Sequence, residues 1–158
     1  MRVVEVNPKA NIGILPGADF ADAWRLDGLA AADALTLAGR AFGSSPKWIE
    51  ALLVLRNLLV APFGLKTGRT ADPSAGPFIG IFPIISQRPD RVVMGLDDHH
   101  LDFRVVVEIA PSAGRTVAAT ATTYVRTHNF GGRLYMMVIK PFHRVIVRSM
   151  LSNAAARI

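Results

Sequence analysis

An α+β fold, with a curved antiparallel sheet wrapped on a long C-terminal helix, is predicted by three features of this 158-residue chain. Apolar residues recur at helical spacing between 29 and 60. They alternate at period two in segments between 78 and 126. A last stretch, from Leu134 to Ala156, returns to helical composition. Sheet and final helix each have one apolar side, so packing them on one another is economical. The length fits a single domain, residues 1–158.

Residues 1–17 carry Pro8, Gly13, Pro16 and Gly17 and are expected to form an irregular lead-in. Asp19 to Leu26 is predicted as the first strand, with Phe20, Ala23 and Trp24 as its apolar content. A helix pair follows. Leu29 to Phe42 is rich in Ala and Leu and ends near Gly43. Ser45 is a good N-cap for the second helix, and Pro46 fits its first position. Trp48, Leu52, Leu55 and Leu59 share one helical face, expected to be buried. Glycines and prolines at 64–77 predict a loop.

Phe78 to Ser86 is strand-like, and Pro83 marks an edge or a bulge. Arg91 to Leu96, Leu101 to Ile109 and Thr116 to Arg126 complete a count of five strands. The small residues of the last strand suggest a crowded or cavity-lining face. Gly131-Gly132 breaks the pattern before the C-terminal helix. Pro141 within it predicts a kink or a delayed start.

Composition excludes several functions. The chain is 51% hydrophobic and 19% charged, which a disordered segment could not be. With no cysteine there is no disulfide, thiolate nucleophile or Cys-ligated zinc. No 18-residue apolar run or signal-peptide pattern occurs, so a cytoplasmic protein without a transmembrane segment is expected. Residues 79–158 hold 10 basic and 5 acidic side chains, and no acid follows Glu108. That asymmetry suits an anionic partner. The cations are spread and not interleaved with aromatics, so nucleic acid is not expected. Neither a P-loop nor a Gly-x-Ser-x-Gly elbow is present.

Four polar groupings could carry chemistry. If a strand starts near Asp98, then Asp98, His100, Asp102 and Arg104 share one face. They could serve acid–base catalysis, hold a metal, or simply form a hairpin tip; no metal is assigned. Arg126, His128 and Asn129 stand before the glycine break, at a helix start or a pocket mouth. Either His143 or a nearby Arg repairs the hydrogen bond that Pro141 lacks, or Lys140, His143 and Arg144 gather as an anion site. Arg56 interrupts an apolar helix and either faces water or reaches a buried carboxylate, with Asp98 or Asp102 as candidates.

Several of these residues also resemble a known family. They are Trp48, Leu55-Arg56-Asn57, Phe63-Gly64-Leu65-Lys66, the run from Leu96 to Arg104, Arg126-x-His128-Asn129, Gly132-Arg133-x-Tyr135 and Pro141-Phe142-His143-Arg144. Together they look like the bacterial family called domain of unknown function 2867, across about residues 15–155. Related domains occur fused behind short-chain-dehydrogenase-like domains, which hints at small-molecule metabolism. The family is similar in turn to the helix-grip superfamily of START-like and polyketide-cyclase-like proteins. That likeness implies about seven strands and an apolar cavity between sheet and C-terminal helix.

The first functional expectation is therefore a binder of a small hydrophobic or amphipathic ligand, with its acid group near Arg or His. Trp48, Arg56, Arg104, Tyr124, Arg126, His128, Tyr135 and His143 are the expected ligand-binding residues. A second is a cofactor-independent isomerase, cyclase or hydratase. Asp98, His100 or Asp102 would act as base, and His143 or Tyr135 as acid. A third is an interaction module that docks through its basic C-terminal helix, onto an acidic partner, a membrane surface or a second copy as a homodimer. No organic cofactor is expected in any of the three.

Overall fold

A computed structural model describes residues 1–10, 13–63 and 76–156, without the side chains of Leu53, Arg56, Leu59, Val60 and Phe63. Most of the expected loop at 64–77 and the Arg56 side chain therefore lie outside the described residues. The fold is α+β. Its elements are β1 (Val4–Val6), β2 (Phe20–Ala30), α1 (Ala34–Phe42), α2 (Lys47–Val60), β3 (Phe78–Ile79), β4 (Phe82–Arg88), β5 (Arg91–Asp97), β6 (Leu101–Pro111), β7 (Thr116–Thr127) and α3 (Phe130–Ala156). The strands form one antiparallel sheet in the order β1-β2-β7-β6-β5-β4-β3.

Among the described residues seven strands replace the five expected, for two local reasons. Val4–Val6 pairs with Arg25–Ala23, so the lead-in is not wholly irregular. Three residues are too few to show an alternation. The apolar run at 78–86 splits at Gly80, whose φ of 60° turns the chain. A side chain at Gly80 would also meet the Phe42 carbonyl oxygen at 2.4 Å.

β2 runs on to Ala30 through a register shift between Leu26 and Leu29, where Gly28 takes a φ of 78°. Leu29 and Ala30 are thus strand, and α1 starts only at Ala34. Asp33 caps α1 by accepting the Thr36 N–H at 2.7 Å. In α2, Pro46 rather than Ser45 occupies the cap position. Among the described α2 side chains Ile49 is buried in the core, while Trp48 and Leu55 of the expected face are exposed and Leu59 lies outside the described side chains. α3 starts four residues earlier than expected and continues through Pro141.

The sheet has two differently covered faces. Trp24, Leu26, Val92, Met94, Val105, Val107, Ala119 and Ala121 point toward the helices. Against them pack Leu37, Ala38 and Phe42 of α1 and Val147, Met150, Leu151 and Ala154 of α3. The alanines of β7 thus form the crowded face, where the helices come close. On the opposite face Leu15, with Ile14 and Ala18, covers Val93, Val106 and Tyr124. Burying a leucine there contributes about 1.5–3 kcal/mol toward holding residues 14–18 on the sheet.

α3 keeps a large apolar surface in solvent. Phe130, Leu134, Val138, Phe142 and Val145 are 43–76% exposed and follow one another at spacings of three or four residues. Among the described residues no helix is long and apolar enough to cross a membrane.

Candidate functional site

The polar residues collect at the end of the sheet where α3 begins, on both faces. On the face away from the helices, Asp102 is only 4% exposed. Cross-strand register places Arg126 directly opposite it. Arg126 Nη2 donates to Asp102 Oδ2 at 2.6 Å, and His128 Nε2 lies 2.9 Å from the same oxygen. Asp102 Oδ1 accepts the Asp98 N–H at 3.2 Å. Arg126 also donates to the Pro16 carbonyl oxygen at 3.1 Å, tying the covering segment to the network. Its Nε is buried and has no hydrogen-bond partner among the described residues.

The turn at 98–100 connects this network to α3. His100 Nδ1 lies 3.1 Å from Asn129 Oδ1, and that oxygen caps α3 by accepting the Gly132 N–H at 3.0 Å. A Cβ at Gly132 would approach the His100 carbonyl oxygen to 2.1 Å, so only glycine lets the helix sit on the hairpin. His100 and Asp98 therefore belong to the turn and not to the β6 face. Arg104 is on that face and pairs with the exposed Asp97 at 2.7 Å. Tyr124, beside Arg104 in register, donates to the Lys9 carbonyl oxygen at 2.9 Å.

The helix-facing side holds a second buried carboxylate. Asp22 lies between Phe20 and Trp24 on β2. Its Oδ1 is 3.3 Å from His143 Nε2, and its Oδ2 accepts the Trp24 Nε1–H at 3.1 Å. His143 thus turns inward from α3, with its ring edge-on to Phe20 at 6.1 Å. Asp102 and His143 stand on opposite faces of the sheet, so the expected acid–base pairing between them has no shared cleft. Tyr135 is half-buried beside Leu101, Val125 and Met136. Trp48 is on α2 and exposed. Among the described residues, no three His, Asp or Glu side chains come together as a metal site.

Both buried carboxylates are held below the usual aspartate value of 3.8. Burial pushes each upward. For Asp22 that push is outweighed by His143, Trp24 and Thr123, and for Asp102 by His128, Arg126 and the Asp98 N–H. A carboxylate with a depressed folded pKa stabilises the fold above its unfolded pKa, and that stabilisation is lost as pH falls through the folded value. The melting temperature is expected to hold from pH 7 to about 5 and to fall below about 4, near the unperturbed aspartate range. Thermal melts of D22N/D102N should show a shallower fall; an equally steep one would assign acid lability to other groups.

Space for a ligand opens at the margin between sheet and α3. The interior expected as a cavity is occupied by Trp24, Leu26, Leu37, Met94, Val107, Met150 and Leu151, none more than 5% exposed. A groove of about 360 Å³ instead runs between the start of β2, the end of β7 and the first turns of α3. Phe20, Met136 and Met137 supply apolar walls, and Arg133 and Lys140 supply cations. Lys140 Nζ lies 5.0 Å over the Phe20 ring. Asp19 borders the groove and is already engaged, accepting from the Thr127 N–H at 3.2 Å and from the Thr127 hydroxyl.

Sequence reasoning did not place Asp19, Phe20, Asp22, Thr127, Arg133, Met136 or Met137 at a site. One signal was readable: Asp22 puts a charge between Phe20 and Trp24 at period two, on a face that must be buried. Comparison with curated proteins finds no match to the chain. The model of one family, described as a protein of unknown function (DUF2867), matches residues 14–150. These residues are most of the chain and include both carboxylate networks and the groove, and the protein belongs to the DUF2867 family.

Proposed function

We propose that the domain binds a small amphipathic anion in the groove between β2, β7 and α3. One observation carries this: apolar Phe20, Met136 and Met137 share a 360 Å³ groove with the cations of Arg133 and Lys140. The volume is at the lower end of small-molecule sites. Methionines adapt to an apolar body of undefined shape. The Asp22–His143 contact beneath fixes β2 against α3 and so sets the groove width. Octanoate is expected to bind and octanol to bind at least tenfold more weakly in calorimetric titrations. R133Q/K140Q should remove that preference while leaving the melting temperature within a few degrees, both side chains being exposed. Equal affinity for acid and alcohol, or octanoate binding unchanged in the variant, would reject the site.

A second reading rests on the exposed stripe of α3. At 100° per residue, Phe130, Leu134, Val138, Phe142 and Val145 fall on one side, and Arg133, Lys140 and Arg144 on the flank toward β2. The stripe is uncharged, so two copies could pair along it without opposing like charges. Sedimentation should then show a dimer that V138D/V145D converts to monomer; a monomeric parent at 100 μM would exclude this arrangement.

A further inference from the structure

A second groove, of about 350 Å³, lies further along α3 and is distinct from the proposed ligand site. Its floor is Trp24, and its walls are Arg144 and Arg148 of α3 with Arg2, Val3 and Val4 of the N-terminal strand region. The Arg148 guanidinium stands 5.7 Å from the Trp24 ring centroid. Trp24 itself is fixed, because its N–H is committed to Asp22.

Three guanidinium groups thus border one groove, and among the described residues that line it Glu5 is the one acid. Among the described residues, no carboxylate lies within salt-bridge reach of Arg2, Arg144 or Arg148. Arg144 and Arg148 are also one turn apart on α3, a like-charge spacing that is unfavourable without an intervening anion. Guanidinium forks match phosphate oxygens in pairs, and one fork already satisfies a carboxylate. A tetrahedral dianion has oxygens for more than one such fork. The groove also exceeds the size of a bare phosphate, which leaves room for an attached organic group.

We infer that the Trp24–Arg144–Arg148–Arg2 groove is a binding site for a phosphomonoester group. Such a group could be carried by a soluble organic phosphate or by an acidic lipid headgroup.

Tryptophan fluorescence reads this site directly, since the chain has two tryptophans and Trp48 can be replaced. In W48F, glycerol 1-phosphate at constant ionic strength is expected to change Trp24 emission saturably, while glycerol and matched sodium chloride do not. Phosphatidic acid vesicles, compared with phosphatidylcholine vesicles, form the second arm. A response to vesicles alone supports the site and assigns its phosphate to a lipid. R144Q/R148Q, both exposed positions, should weaken either response at least tenfold, and R2Q should weaken it less. Absence of a saturable response in both arms, or an unchanged midpoint in R144Q/R148Q, would overturn the inference.

Discussion

Asp102→Ala is expected to lower the unfolding free energy by about 3 kcal/mol, the low end for breaking a buried ion pair. The carboxylate is nearly inaccessible and accepts from Arg126, His128 and the Asp98 amide together. Removing it leaves the Arg126 guanidinium without its anion, in a position where one nitrogen already has no partner among the described residues. Arg126 is 39% exposed, so water relieves part of the loss, which places the effect at the low end. The Arg104–Asp97 pair, whose acid lies in solvent although Arg104 is largely covered, provides the contrast. Arg104→Ala removes an ion pair whose acid is 66% exposed, and less than about 1 kcal/mol should follow. Urea unfolding at pH 7 separates the two, and equal losses would show that burial of Asp102 contributes nothing special.

Asp22→Ala comes next, at about 2–3 kcal/mol. It orphans the buried Trp24 N–H and the inward-facing His143, neither of which has another acceptor among the described residues. Asp22→Asn should recover part of the loss, since the amide oxygen still accepts one of the two hydrogen bonds. Because Asp22 and Asp102 lie on opposite faces and share no partner, the two alanine effects should add within about 0.5 kcal/mol. A strong departure from additivity would mean that the networks communicate through β6 and β7.

The strands with long alternation were legible in sequence. Leu101 to Ile109 and Thr116 to Arg126 extend by only one or two residues in the structure, because each buries one face over ten residues or more. The C-terminal helix was legible for the same reason. What escaped is short or depends on pairing. β1 contributes three residues, and its order comes from its partner β2. The extension of β2 through Gly28 needed the register of β7, which no local pattern carries. Asp33, three residues before Thr36, is a helix start that the sequence does carry, although the Ala and Leu content points four residues earlier, to Leu29.

The candidate site divides likewise. Asp102, Arg126, His128 and His143 were recognisable as polar groups in apolar surroundings. Their partners were not, because cross-strand register decides that Arg126 faces Asp102, 24 residues away. Alternation along β6 placed Asp102 and Arg104 on one face correctly. It could not say that this face lies under residues 14–18 and away from α3. The groove was least visible, since Phe20, Thr127 and Met136 come from three elements whose approach depends on the small β7 residues and on Gly132.

The groove between β2, β7 and α3 is best tested by intermolecular NOEs in a saturated complex with octanoate, using protein labelled at the methionine methyl groups. Contacts from the octanoate chain to Met136 and Met137, with the carboxylate end toward Lys140, are predicted. Contacts confined to other methionines, or none at saturation, would contradict ligand binding at this groove.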